Sequence, residues 1–299
     1  MDDSGISRVQ DYLERRYLLM RPVSDGAAYQ LGHSIALWAV SLSRQVELQD
    51  LNDEALSAFI RWLEPTYSKR TIYGHRGNII GIWKDAYESG FVAKPPGRVR
   101  KVRKPKPNPR AWQPSEMETL VQACRLLGGV LKNGVRRSHY FEALFRAAYE
   151  TGLRRSDLWR LQRSWVRSEG VVVLEQHKTE QPHVCALRPE TARKVLALPG
   201  DLPLKWPHSK RHFYDITAKL CRATGIPRGA LQMTRRTGAT SIYVKTGNPA
   251  VVQQFLGHLT PTMWMHYVER EKVQQIVQPP ALFALSERER RDPPDKASA

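Results

Sequence analysis

At 299 residues, 41 % of them hydrophobic, the chain is globular in composition and long enough for two domains with separate cores. Lysine and arginine number 47 against 29 aspartates and glutamates, and the resulting formal charge of +18 points to a polyanionic partner. No apolar run approaches the roughly 20 residues that span a bilayer, Met1 to Gly5 lack the basic-then-apolar order of a secretory signal, and Cys124, Cys185 and Cys221 are too few and too scattered for a zinc module or a disulfide framework. A location in the reducing cytoplasm, without membrane contact, is expected.

In chain order, three helices are predicted first. One runs from about residue 25 to 44, with Tyr29, Ile35, Leu37, Trp38 and Leu42 among its apolar positions. The next begins at Asn52, a good N-cap, and carries Leu56, Phe59, Ile60 and Leu63 at helical spacing. The third starts near Ser68, carries Ile72, Ile79, Ile80, Trp83 and Tyr87, and ends before Gly90. Residues 1–93 are therefore read as a small helical lobe, with Lys69, Arg70, His75 and Arg76 as candidates for a face toward a polyanion.

Residues 94–111 read as an interdomain linker. Lys94 to Arg110 hold eight Lys or Arg, five prolines and no acid, so proline keeps the segment extended and like charges keep it open. Arg98, Arg100, Lys101, Arg103 and Lys104 make it a candidate strap on a nucleic-acid backbone, where counterion release gives salt-sensitive, sequence-independent affinity.

Residues 112–278 read as a second, mainly helical domain with a small sheet. Pro114 and Ser115 open a helix through Met117, Leu120, Val121 and Leu126, and another carries Phe141, Leu144, Phe145 and Ala148 and stops at Gly152. The β-branched run Val171-Val172-Val173-Leu174 enters a polar turn and is answered by Val184-Cys185-Ala186-Leu187, a hairpin pattern with Lys178 at its tip. Helices are predicted near 189–198, 210–224, 234–246 and 250–256. Residues 279–299 form a tail whose Ala281-Leu282-Phe283-Ala284-Leu285 patch needs burial, on its own domain or on a neighbour, before a charged end expected to be disordered.

Three short motifs carry the chemistry. They are Thr151-Gly152-Leu153-Arg154-Arg155-Ser156-Asp157-Leu158, Arg235-Arg236-Thr237-Gly238-Ala239-Thr240, and Leu256-Gly257-His258 with Tyr267 nine residues after the histidine. Each alone is weak; a surface arginine after a helix end explains the first, and a tyrosine on a late helix is usually a packing residue. Their joint occurrence, in this order and spacing, resembles the tyrosine recombinase (phage integrase) family over roughly residues 25 to 275. The resemblance implies a helical core-binding lobe followed by a catalytic domain, an α+β fold that is mainly α, no cofactor, no metal, and double-stranded DNA as partner, with a homotetramer assembled on it.

It also implies roles. Attack on a phosphodiester places negative charge on two non-bridging oxygens, which the guanidinium forks of Arg154 and Arg235 match bidentately at any working pH. Tyr267 would be the nucleophile, forming a 3′-phosphotyrosine link that conserves the energy of the broken strand. His258 would hydrogen-bond the phosphate, and Lys178 would protonate the departing 5′ oxygen. One departure stands out: the family's His-x-x-Arg is here Gln232-Met233-Thr234-Arg235. Gln232 can donate and accept hydrogen bonds but cannot carry a proton. A slower or differently tuned enzyme is expected.

His177, His183 and His208 lack comparable company and are expected at the surface; His266 is expected to be a neighbour of the nucleophile. Two competing readings are a type IB-like topoisomerase, disfavoured by the small first lobe and short linker, and a non-catalytic DNA-binding regulator, supported by Gln232. No arm-type DNA-binding domain is expected before the first lobe. Integration, excision and dimer resolution are not distinguished.

Overall fold

The computed structural model describes residues 5–104 and 109–257, and the chain divides into two compact units, Met1–Lys106 and Pro107–Ala299. His258, His266, Tyr267 and the tail lie outside the described residues. Among the described residues the class is mainly α with one two-stranded antiparallel sheet, in keeping with the sequence pattern.

In the first unit a helical stretch α1 (Val9–Tyr12, a π-helical Leu13–Tyr17, then Leu18–Met20) precedes α2 (Asp25–Leu42), α3 (Asp53–Leu63) and α4 (Lys69–Glu88). The stretch α1 escapes a pattern reading because its apolar residues are interrupted by Glu14, Arg15 and Arg16. It is held by long-range contacts: Tyr12 donates to Asp85 at 2.6 Å, and Arg21 just beyond it donates to the same carboxylate at 2.6 Å. The later helices start where short polar side chains can cap them. Ser24, Asn52 and Ser68 each accept a bond from a backbone N–H of the first turn. Trp38, Phe59, Ile60, Ile79, Ile82 and Trp83 are fully buried and form the core. His75, expected on the outer face, is 5 % exposed and bonded through Nδ1 to Ser34 Oγ at 2.9 Å. It follows Ile72 and precedes Ile79 on the inward stripe of α4, so helical spacing buries it.

The basic segment after Gly90 is docked on this unit rather than free. Trp83 Nε1 donates to the Lys94 carbonyl at 2.8 Å, and the Asp53 carboxylate accepts the Gly97 and Arg98 amides at 2.9 and 2.6 Å. The Arg100 amide bonds Ser57 Oγ, and its guanidinium grips Glu64 at 2.9 and 3.1 Å. Val99 is buried in the core and Val102 packs against it. The docking has a simple cause: two valines and two acid partners, Asp53 at the start of α3 and Glu64 just past its end, outweigh the mutual repulsion of the cations. Arg98, Lys101, Arg103 and Lys104 remain exposed, as do Lys69 and Arg70. Half-buried Arg76 donates through Nε to the Arg100 carbonyl at 3.0 Å, so α4 and the basic segment share one face.

The second unit is built around α6 (Arg137–Thr151), nearly all of whose residues are buried. Around it lie α5 (Pro114–Cys124), α8 (Pro189–Leu196) and α10 (Leu231–Thr246). Short α7 (Arg155–Trp159), α9 (Lys210–Thr224) and α11 (Pro249–Leu256) complete the helices among the described residues. Its first residues are pinned: the Trp112 amide donates to Thr237 Oγ1 at 3.0 Å and its indole to the Pro227 carbonyl at 2.8 Å. The hairpin pairs β1 (Val171–Gln176) with β2 (Gln181–Ala186), with Leu174 opposite His183 and Gln176 opposite Gln181. Strand β2 therefore starts three residues before the apolar run that suggested it, and α10 starts three residues before Thr234, which puts Gln232 and Arg235 on one helix.

Asp53→Ala removes the acceptor of two adjacent amides and should loosen residues 97–104. Limited trypsin digestion should then cut after Arg98, Arg100 or Lys101 at least several-fold faster than in the parent, read by mass spectrometry, with α2–α4 still protected.

Candidate active site

The turn from α6 to α7 shows why the first motif contains glycine. Gly152 caps α6 in the left-handed region (φ 61°), and a Cβ there would lie 2.6 Å from the Phe255 ring. Leu153 then buries, and Arg154 becomes the N-cap of α7, its side chain half-buried against the unit rather than on a free loop. Its Nη1 donates to Gln176 Oε1 at 2.5 Å.

Arg235 is 1 % exposed. Its Nη1 donates to the Gly152 carbonyl and its Nη2 to the Leu256 carbonyl at 2.8 Å. Those carbonyls sit at the C-terminal ends of α6 and α11, where the helix dipole presents partial negative charge to a cation. Burying an unpaired guanidinium is very costly, so these contacts hold the charge in place. One cleft of about 300 Å³ is lined by Arg154, Arg155, Tyr214, Gln232 and Arg235 among others. Gln232 is exposed on the first turn of α10, one turn from Arg235. The two arginines and the glutamine, scattered in sequence, thus meet. Tyr214 is held there by the guanidinium of Arg155, which also lies over the Trp159 ring.

Lys178 is exposed in the turn between β1 and β2. That turn is fastened on both sides of it: the His177 amide donates to Asp157 Oδ1 at 2.9 Å, and Thr179 Oγ1 donates to Gln176 Oε1 at 3.2 Å. Asp157, fully buried on α7, was named in the first motif without a role. Among the described residues no three His, Cys, Asp or Glu side chains converge as a metal site, and no helix is long and apolar enough to cross a membrane.

Two residues central to this geometry were not singled out from sequence. Gln176, fully buried, belongs to the inward face of β1 with Val172 and Leu174. His183, expected at the surface, is 6 % exposed. The signal that could have found it is period two: opposite Leu174 in the hairpin register, it must share that residue's inward face. Its Nδ1 lies against Gly257, 2.9 Å from where a Cβ would sit. By contrast His177 is exposed, and His208 is partly exposed with Nε2 accepting from the Lys132 amide at 3.4 Å.

No protein-family model and no curated protein sequence matches the chain. Solved structures do. A lambda integrase dimer (residues 75 to 356) bound to a COC′ core site matches at 18 % identity over 87 % of this chain and 95 % of that one, with a TM-score of 0.70. The Tn1549 transposon integrase in complex with a circular intermediate DNA matches at 13 % identity over 88 % and 95 %, TM-score 0.65. XerH site-specific recombinase bound to a palindromic difH substrate matches at 14 % identity over 81 % and 74 %, TM-score 0.58. The chain has the fold of these recombinases and integrases, the fold implied by the resemblance of its motifs.

Burial pushes the His183 imidazole below its ordinary value of 6.5; the Arg235 and Arg154 charges add to this, and Asp157 opposes it. A base neutral in the fold but protonated when unfolded lets the unfolded state bind more protons, so stability is full above pH 6.5 and falls as the pH drops below it. The melting temperature of the parent should therefore fall more steeply from pH 7.5 to pH 5 than that of His183→Leu. Parallel slopes would place the acid lability elsewhere.

Proposed function

We propose that this chain is a site-specific DNA recombinase that cuts and rejoins duplex DNA through a 3′-phosphotyrosine, serving integration, excision or dimer resolution. The observation that carries the reading is the convergence of Arg154, Arg235 and Gln232 on one cleft, with the turn bearing Lys178 fastened to the same cluster. The nucleophile proposed is Tyr267 and the further phosphate ligand His258. A Tyr267 Oη–P bond forms as the P–O5′ bond breaks; the phenolic proton passes to water, and the 5′ oxygen leaves with a proton supplied by Lys178. Rejoining reverses these steps, so no ATP is consumed. Guanidinium charge replaces a divalent ion at the phosphate; one preorganised donor of this kind contributes about 2.7–4 kcal/mol to the transition state.

The partner proposed is double-stranded DNA, with four copies of the chain acting together on it. Lys69, Arg70, Arg76, Arg98, Lys101, Arg103 and Lys104 are proposed to contact its backbone; Arg100, already paired with Glu64, is the least available of the basic segment. The lambda integrase dimer and the Tn1549 integrase, both solved with DNA, support this reading through their shared fold.

Tyr267→Phe should leave DNA binding within a few-fold and abolish covalent adduct formation on a nicked duplex carrying the chain's own recombination site, analysed on a denaturing gel. Parent cleavage should survive excess EDTA. An adduct persisting in Tyr267→Phe would move the nucleophile elsewhere, with Tyr214 in the arginine cleft as the first residue to test.

Gln232→Ala removes a hydrogen bond without adding a base, whereas Gln232→His restores a proton carrier titrating near pH 6.5. Single-turnover cleavage between pH 6 and 9 should be slower than the parent for Gln232→Ala and at least as fast for Gln232→His. A fully active Gln232→Ala would deny this position a catalytic role.

A further inference from the structure

Both arginines are linked to the hairpin through one side chain that the proposed chemistry does not use. Gln176 is fully buried at the end of β1, two residues before Lys178. Its Oε1 accepts from Arg154 Nη1 at 2.5 Å and from Thr179 Oγ1 at 3.2 Å. Its Nε2 donates at 3.3 Å to the Leu256 carbonyl, which also accepts from Arg235 Nη2 at 2.8 Å. A single amide therefore closes a circuit from Arg154 through β1 and the end of α11 to Arg235.

The circuit also accounts for the glycine of the Gly-His pair. Gly257 caps α11 at φ 59°, and a Cβ there would lie 2.3 Å from Gln176 Nε2. Only a residue without a side chain lets the amide reach the Leu256 carbonyl. A carboxylate in place of the amide would meet that carbonyl with an acceptor and would draw the Arg154 charge to itself; an aliphatic residue would leave the bonds to Arg154 and to the Leu256 carbonyl unmade.

We propose that Gln176 is the positioning residue of this site: its amide orients the Arg154 guanidinium toward the scissile phosphate and sets it in register with Arg235 and the Lys178 turn. The proposal rests on the recombinase reading and adds a residue to it. Gln176 acts through Arg154 and does not touch the substrate.

The test compares an ordinary scissile phosphodiester with a methylphosphonate at the same position, where a methyl replaces one non-bridging oxygen and the phosphate's negative charge is gone. The need for a well-placed guanidinium falls accordingly. On the ordinary substrate Gln176→Leu should slow single-turnover cleavage by about 10- to 100-fold, the scale for losing a group that orients a catalytic side chain. DNA affinity and melting temperature are measured alongside. On the methylphosphonate the loss should shrink to within a few-fold. An equal loss on both substrates would show a merely structural role and overturn the proposal. Gln176→Glu, which keeps the size and the Arg154 contact, covers the case in which Gln176→Leu does not fold. It should also be slow on the diester and recover on the methylphosphonate, and full activity on the diester would overturn the proposal as well. A parent protein that forms no adduct with either substrate would instead sink the recombinase reading on which this rests.

Discussion

The second unit depends on burying one charge. Arg235 lies in the interior with its fork against the main-chain carbonyls of Gly152 and Leu256, and it is those two helix ends that make its burial tolerable. A guanidinium has five donors in a fixed plane, so two carbonyls arriving from different helices define its orientation closely. The constraint runs both ways. The C-terminal ends of α6 and α11 must approach each other through the arginine, and both require glycine caps to do so. An Arg235→Lys change would keep the charge and lose the geometry, because an ammonium cannot span two carbonyls in one plane.

From that anchor the rest of the site follows by short links. Gly152 leads within two residues to Arg154, and Leu256 leads to Gly257, against which Gln176 and His183 pack. The hairpin thereby becomes part of the site rather than an appendage, although its turn is exposed. Asp157 closes the other side by accepting the His177 amide, so the exposed lysine extends from a backbone held at both neighbours.

The first unit shows how a strongly basic segment can be placed without being neutralised. Asp53 and Ser57 on α3, and Glu64 just past its end, hold the backbone and one guanidinium of residues 97–100, leaving Arg98, Lys101, Arg103 and Lys104 outward.

Much of this was legible in the sequence, for identifiable reasons. Helix positions followed from caps and apolar spacing, since both are local properties of the chain, and the first two motifs, with the resembled family's His-x-x-Arg pattern, marked Arg154, Gln232 and Arg235 as partners before any fold was known. What the sequence reading missed were residues whose meaning comes from the face they occupy, although period two for His183 and the helical stripe for His75 carried a signal. Gln176 reads as one more polar residue entering a turn, His183 as a turn histidine and His75 as part of a basic helix. Each is buried because an inward register, set by contacts far away in sequence, leaves it no alternative. The docking of residues 94–104 was hidden for a related reason: charge and proline dominate their composition, while two valines and distant acids decide their position. The sequence by itself determined which chemical groups the chain possesses and in what order. Tertiary structure alone decided which carbonyls surround Arg235 and which amide orients Arg154, because hydrogen-bond partners across a core depend on distance in space and leave no periodic trace along the chain.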